Sequence, residues 1–257
     1  MQNKKVKSKN FAYIIIKEVQ MIRINLQFFG GRGATSSVKG GSSSAKGETE
    51  LPQRAEYAMN NANPNYLNPN AEAEGWHHNC QSCAVTFEAL MRGEDTEAVP
   101  HKDGEPWYEA DGKEHGWRDC FEGKQETIYT GYEDYVKAVK MRDFAKAGKA
   151  LNKVGVINGI EGQTVAVNSK TAINRQMKKW GDGARATLEV TWKDGSGGHI
   201  INVINKGGKP IAIDAQSHQI KDLGKLLSGA KRNCTGLTRV DNLKFTSDIQ
   251  YLTKGKQ

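Results

Sequence analysis

Hydrophobic and polar positions follow two different rhythms along the chain. In Cys83–Arg92 the apolar residues Ala84, Val85, Phe87, Ala89, Leu90 and Met91 crowd together, and Gly93 follows at once. That density predicts a mostly buried helix, with the glycine supplying a left-handed cap. A further helix is expected over Thr130–Leu151, with Tyr135, Val139, Ala145 and Leu151 among its apolar positions, and a short one around Gln53–Asn60. Turns are expected at Asn63-Pro64 and Asn68-Pro69, and the segment 94–126 is polar and turn-rich. The last third changes period. Ala186 to Trp192 alternates, Asp194 to Gly198 is a glycine-rich turn, and His199 to Asn205 reads as a strand. Lys206-Gly207-Gly208-Lys209 is then a hairpin signal leading into Pro210–Asp214. Helices followed by an antiparallel meander define an α+β class, with N-terminal helices and a C-terminal antiparallel sheet.

Composition divides the chain. Hydrophobic residues are 37% and aromatics 8% of 257 residues, lean for a chain packed from end to end, yet Trp, Phe and Ile cluster from about Trp76 onward. One globular domain is therefore expected over 51–257. Residues 21–50 pass from Ile24-Asn25-Leu26-Gln27-Phe28-Phe29-Gly30-Gly31 into a Ser/Gly/Lys-rich run, whose few apolar groups cannot offset the entropy of ordering, so a flexible linker is expected. Its opening, Asn25 to Gly31, resembles the first residues of structural and accessory proteins of phages and integrated elements of Gram-positive bacteria. Residues 1–20 differ in character from the rest of the chain, and codons for Lys17-Glu18-Val19 can read as a purine-rich ribosome-binding site just before Met21. Translation from Met21, with 1–20 an untranslated or disordered extension, is the resulting expectation.

Charge and cysteine usage narrow the classes. The net charge of +8 is diffuse: Lys4, Lys5, Lys7 and Lys9 bunch at the start, and Lys137, Lys140, Arg142, Lys146 and Lys149 belong to an expected helix. That distribution suits solvated faces better than a nucleic-acid groove. The early apolar stretch Phe11–Ile16 is far short of the roughly 20 residues that span a bilayer, and no cleavage-site pattern follows it. No membrane association is expected. Four cysteines, Cys80, Cys83, Cys120 and Cys234, are too few for a disulfide scaffold, which favours a reducing, cytoplasmic setting.

Candidate chemistry centres on Asn79-Cys80-Gln81-Ser82-Cys83, directly before the buried helix. A thiol at a helix N-terminus feels the positive end of the macrodipole, which favours the thiolate. A thiolate nucleophile also needs a base that can return a proton to the leaving group, and a third group to orient that base. His199 opens one strand and Asp214 closes the returning one, so their side chains can meet across an antiparallel hairpin. Gly197 and Gly198 would leave space beside the imidazole for a substrate chain. Asn202 has the wrong parity to share a face with His199 and is read as structural.

These residues also carry a resemblance. Asn79-Cys80-x-x-Cys83 with Ala84-Val85-x-Phe87-Glu88-Ala89-Leu90-x-Arg92-Gly93, then Gly198-His199-x-x-Asn202-Val203, Ile213-Asp214-Ala215-Gln216 and Arg239-Val240-Asp241-Asn242-Leu243, together resemble the papain-fold toxin family. This family comprises bacterial polymorphic toxins and phage-encoded relatives, described as glutamine deamidases or peptidases. The resemblance covers 76–245. It implies a papain-like fold, a Cys/His/Asp triad, no cofactor, and acyl transfer from an amide of a protein substrate. A phage particle or an immunity protein would be the further partners, and delivery into a bacterial cell with a phage or mobile element is the alternative to a purely cytoplasmic location. Cys80 is favoured as nucleophile, since several papain-like hydrolases place it directly after Asn. Cys83 stays open, because Cys80-Gln81-Ser82-Cys83 copies the Cys-Gly-Ser-Cys run of papain, where the second cysteine attacks. Asn79 and Gln216 are read as oxyanion or supporting groups.

Two other readings compete. His77, Cys80 and Cys83 could start a structural zinc site, completed by Cys120, His115 or Cys234. A phage accessory protein that keeps the fold without activity is the second. His77, His78, His101, His115 and His218 are expected as surface or loop residues, and Trp107 and Trp117 as packing.

Overall fold

The computed structural model describes residues 51–102, 105, 108–110 and 113–256. The expectations for 1–20 and 21–50, including a start at Met21, and for Trp107 lie outside these residues. In chain order come α1 (Gln53–Asn61), the single turn α2 (Ala71–Glu74) and α3 (Cys80–Arg92), then β1 (Thr96–Ala98), β2 (Tyr108–Ala110) and β3 (Lys113–His115). A 3-10 turn at Trp117–Cys120 leads to β4 (Gln125–Thr130), α4 (Tyr132–Lys140), α5 (Phe144–Leu151), β5 (Gly155–Ile160), β6 (Thr164–Ala166) and α6 (Lys170–Trp180). The meander β7 (Arg185–Trp192), β8 (Gly198–Lys206), β9 (Lys209–Asp214) and β10 (Gln219–Lys221) comes next. After it stand α7 (Leu223–Gly229), β11 (Ala230–Arg239), α8 (Ile249–Leu252) and β12 (Thr253–Gly255).

Six strands form one antiparallel sheet in the order β10-β9-β8-β7-β11-β6. Its two faces bury different helices. Ile204, Ile211 and Ile213 pack against Cys83, Phe87 and Leu90 of α3, and Ile200 packs with Ala84, Val85 and Trp117. Leu188, Ile201 and Val203 look the other way, toward Ile173 and Met177 of α6 and Leu223 of α7. The α+β reading with N-terminal helices on an antiparallel sheet is therefore observed, and α6 and α7 add a second covering layer. Each fully buried Phe or Leu in α3 contributes about 2–3 kcal/mol of transfer free energy. That anchors the helix firmly on the sheet.

Local signals explain the elements that carry the site. Gly93 adopts φ +102° and closes α3 with amide bonds from Gly93 to Leu90 O and from Glu94 to Ala89 O. Gly207 and Gly208 have φ of +58° and +79°, the two consecutive positive angles that a tight hairpin between β8 and β9 demands. The expected helix over 130–151 is instead two helices. Arg142 takes φ +55°, and the Asp143 carboxylate accepts the Lys146 amide to start α5 afresh. The period alone could not register this reversal, because both halves keep an apolar stripe and no Gly or Pro marks the break.

Glu88, fully buried in α3, joins the helix to the end of the chain. It receives Arg92 at 2.8 Å and Arg185 through two contacts of 2.8 Å. Arg92 also donates to Leu243 O (2.6 Å) and Val240 O (2.7 Å), while Asp241 accepts from the Arg185 amide and from Arg239. The sequence pieces Glu88-x-x-x-Arg92 and Arg239-Val240-Asp241 are thus parts of one polar network.

Candidate active site

Cys80 is the first residue of α3 and Asn79 its N-cap. The Asn79 side chain makes no cap bond, because it is occupied elsewhere: its Nδ2 donates to Val99 O at 3.1 Å, and its Oδ1 accepts from Cys83 Sγ at 3.2 Å and Gln216 Nε2 at 3.3 Å. Asn63, also fully buried, donates to Trp76 O (2.9 Å) and Gln216 O (3.1 Å). The start of α3 is thereby tied to the turn after β9. Cys80 is half-buried, whereas Cys83 faces the core with 1% of its surface exposed, and burial pushes the Cys83 thiol well up. The two cysteines, one turn apart on the same helix, have been sorted by packing.

His199 Nε2 lies 3.2 Å from Asp214 Oδ2. The β8–β9 ladder ends at Asn202↔Ile213, so neither residue is held within it. His199 is fastened instead to β7 opposite Val190, and Asp214 to β10 opposite Gln219. The sheet divides at this end, and the two side chains meet diagonally across the division. Asp214 also closes its own turn: Oδ1 accepts the amides of Gln216 and Ser217, and Oδ2 accepts Ser217 Oγ at 2.7 Å. Lys221 Nζ is 3.2 Å from the same Oδ2. On the other side of the imidazole, the Trp192 ring lies nearly parallel, 18° off, at 6.4 Å between centroids.

Electrostatics favour an ionised pair. Burial by itself would depress His199, but the Asp214 carboxylate, acting by charge and hydrogen bond, and Cys80 on the same ring outweigh it and raise the imidazole to about 10. Burial would likewise raise Asp214. The His199 charge and hydrogen bond, Lys221 and Ser217 hold it well below the usual carboxylate range instead. His199 thus meets Asp214 through Nε2, and the same ring interacts with Cys80 by hydrogen bond and by charge. The Cys80 amide in the first turn has no carbonyl partner within the helix, so it is a donor available to a developing oxyanion.

Of the residues singled out from sequence, Cys80, His199 and Asp214 come together, and Cys83 stands apart in the core. Asn79 cannot supply an oxyanion donor, because its amide nitrogen is spent on Val99 and Asn63; its place is in the supporting network with Gln216. Asn202 donates to Ala84 O at 3.0 Å, a structural bond to α3. Gly198 has a nearer cause than substrate clearance: a Cβ there would meet Val190 O at 2.6 Å, while Gly197 takes φ +104° in the turn. Trp117 packs in the core, 1% exposed. The donors of a zinc site do not converge. Cys83 Sγ bonds Asn79, Cys120 Sγ lies 3.9 Å from Gly116 O, and His77 bonds Glu72 and Tyr66 O. Among the described residues no three His, Cys, Asp or Glu side chains are grouped to hold a metal ion, and no helix is long and apolar enough to cross a membrane.

Lys221, Ser217, Asn63 and Trp192 join the site only in the folded structure. Ser217 was readable, since Asp214-Ala215-Gln216-Ser217 has the spacing of a turn closed by its own Asp. Asn63 and Lys221 carry no local signal, because only the tertiary fold brings them to the site.

A helix opening on a half-buried cysteine, laid on an antiparallel sheet that holds a histidine and an aspartate, is the arrangement of the papain-like α+β proteins. The chain belongs to the family described as papain fold toxin 1, glutamine deamidase, whose model matches residues 78–219, more than half of the chain. No curated protein and no solved structure gives a significant match.

Proposed function

We propose that the protein is a cysteine-dependent amidohydrolase that deamidates glutamine side chains of a protein substrate, as a toxin-type effector. The observation that carries this reading is the meeting of Cys80, at the N-terminus of α3, with the His199–Asp214 pair. The Cys80 thiolate attacks the side-chain amide carbon, and the oxyanion is held by the Cys80 amide. Imidazolium His199 gives its proton to the departing nitrogen, releasing ammonia and leaving a thioester. His199 then takes a proton from water, which attacks the thioester to leave glutamate and free Cys80. Asp214 keeps the imidazole oriented and its charge balanced. Support for delivery with a phage or mobile element is the opening Asn25–Gly31 alone.

Intact-mass measurement of candidate bacterial proteins after exposure tests the activity. A gain of about one mass unit per site, absent with Cys80→Ala, is expected for exchange of an amide for an acid through the acyl-enzyme. Fragments in place of that gain would establish a peptidase.

The pH profile tests the histidine. Activity should fall as pH rises through about 10, where His199 loses the proton it must donate to ammonia. In Asp214→Asn the carboxylate charge that raises the imidazole is gone and only Cys80 still opposes burial, so the alkaline limb should move to lower pH. An unmoved limb in kcat/KM measured against pH would assign it to another group.

A further inference from the structure

Lys221 has no part in the triad, yet it shares one oxygen with it. Asp214 Oδ2 receives His199 Nε2 at 3.2 Å, Lys221 Nζ at 3.2 Å and Ser217 Oγ at 2.7 Å, while Oδ1 is engaged by backbone amides. Two cations thus bear on a single buried carboxylate. Lys221 is in turn oriented by Gln219, whose Oε1 accepts from Nζ at 2.7 Å. Its side chain is 29% exposed against 5% for Asp214, so the ammonium keeps contact with water while the carboxylate does not. The other titratable groups facing the pair are Cys80 and Cys83 from α3 and Tyr66 from the connection between α1 and α2. None of them is a cation.

We infer that Lys221 is a positioning residue that limits how tightly Asp214 holds the His199 proton, by competing for the same carboxylate oxygen. The inference rests on the triad reading and deepens it. An imidazolium paired with an undivided buried carboxylate is a poor acid, and ammonia must leave with a proton from it. A second cation on Oδ2 draws part of the negative charge away, so His199 releases its proton more readily without losing its orientation. Burial disfavours the ionised Asp214, and His199 together with Lys221 holds it ionised.

The sign of one measurement separates this role from a structural one. His199 is followed by NMR in protein with ¹⁵N-labelled histidine, assigned by the signal missing from His199→Gln. In Lys221→Met the His199 pKa should rise by roughly half a pH unit to one, because the carboxylate is left to the imidazole alone. Lys221→Arg, which keeps the charge, should stay within a few tenths of wild type. In the Asp214→Asn background the Lys221→Met rise should disappear. If Lys221 only holds Asp214 in place, its removal lets the carboxylate drift and the His199 pKa falls; a fall, or no change, overturns the inference. The titration needs no substrate, so it stands apart from the triad reading, which falls if Cys80→Ala retains deamidation.

Discussion

Cys80→Ala is expected to abolish deamidation, with a loss on the order of 10³-fold or more, whereas Cys83→Ala should keep activity within a few fold. The two cysteines share a helix and an Asn partner region, and only packing distinguishes them. Cys83 sits among Phe87, Leu90, Ile204 and Ile213 with its sulfur given to Asn79, where a thiolate would be uncompensated. Removing that sulfur leaves a small cavity and an Asn79 oxygen with one donor fewer, which costs about 1 kcal/mol. Cys80 is half-buried, starts the helix, and faces the imidazole. Iodoacetamide should therefore label Cys80 in folded protein and leave Cys83 untouched, a result readable by peptide mass mapping without any substrate. Preferential labelling of Cys83, or full activity in Cys80→Ala, would reverse the assignment.

Glu88→Ala should be the most damaging change outside the site, lowering stability by about 3–5 kcal/mol, as expected when one member of a buried ion network is removed. Glu88 is fully buried, and both Arg92 and Arg185 depend on it. Truncation leaves two guanidinium groups facing each other in the space the carboxylate occupied. An arginine keeps its charge at any ordinary pH even without its partner, so neither charge can be shed. Urea unfolding followed by circular dichroism measures the loss. A control in which Glu88, Arg92 and Arg185 are all made apolar should recover part of it, because the penalty comes from unpaired charge more than from lost attraction. A midpoint unchanged in Glu88→Ala would mean that the network is solvated and carries little energy.

Much of this molecule was legible in its residues. The period change near Ala186, the glycine pair at 207–208 and the dense stretch ending at Gly93 are local signals, each set by backbone sterics or by one buried face; the strands they predict form with ends shifted by a residue, and the helix starts three residues earlier, at Cys80. The break at Arg142 was not legible, since a non-glycine residue in the left-handed region leaves no mark in hydrophobic spacing. For the site, the order Cys80, His199, Asp214 and the hairpin between the last two pointed to chemistry, and Asp214 was recognisable by its place at a strand end.

By itself, then, the sequence determined the elements and which side chains were candidates for chemistry, because periodicity, turn chemistry and residue type act over a few neighbours. Tertiary structure decided the rest. It buried Cys83 and left Cys80 at the helix start, held Asn79 in a buried network with Asn63 and Gln216, dispersed the zinc donors, and set Lys221 and Trp192 about the His199–Asp214 pair. These outcomes depend on which distant segments share a volume, and desolvation and hydrogen-bond competition within that volume assign each side chain its state.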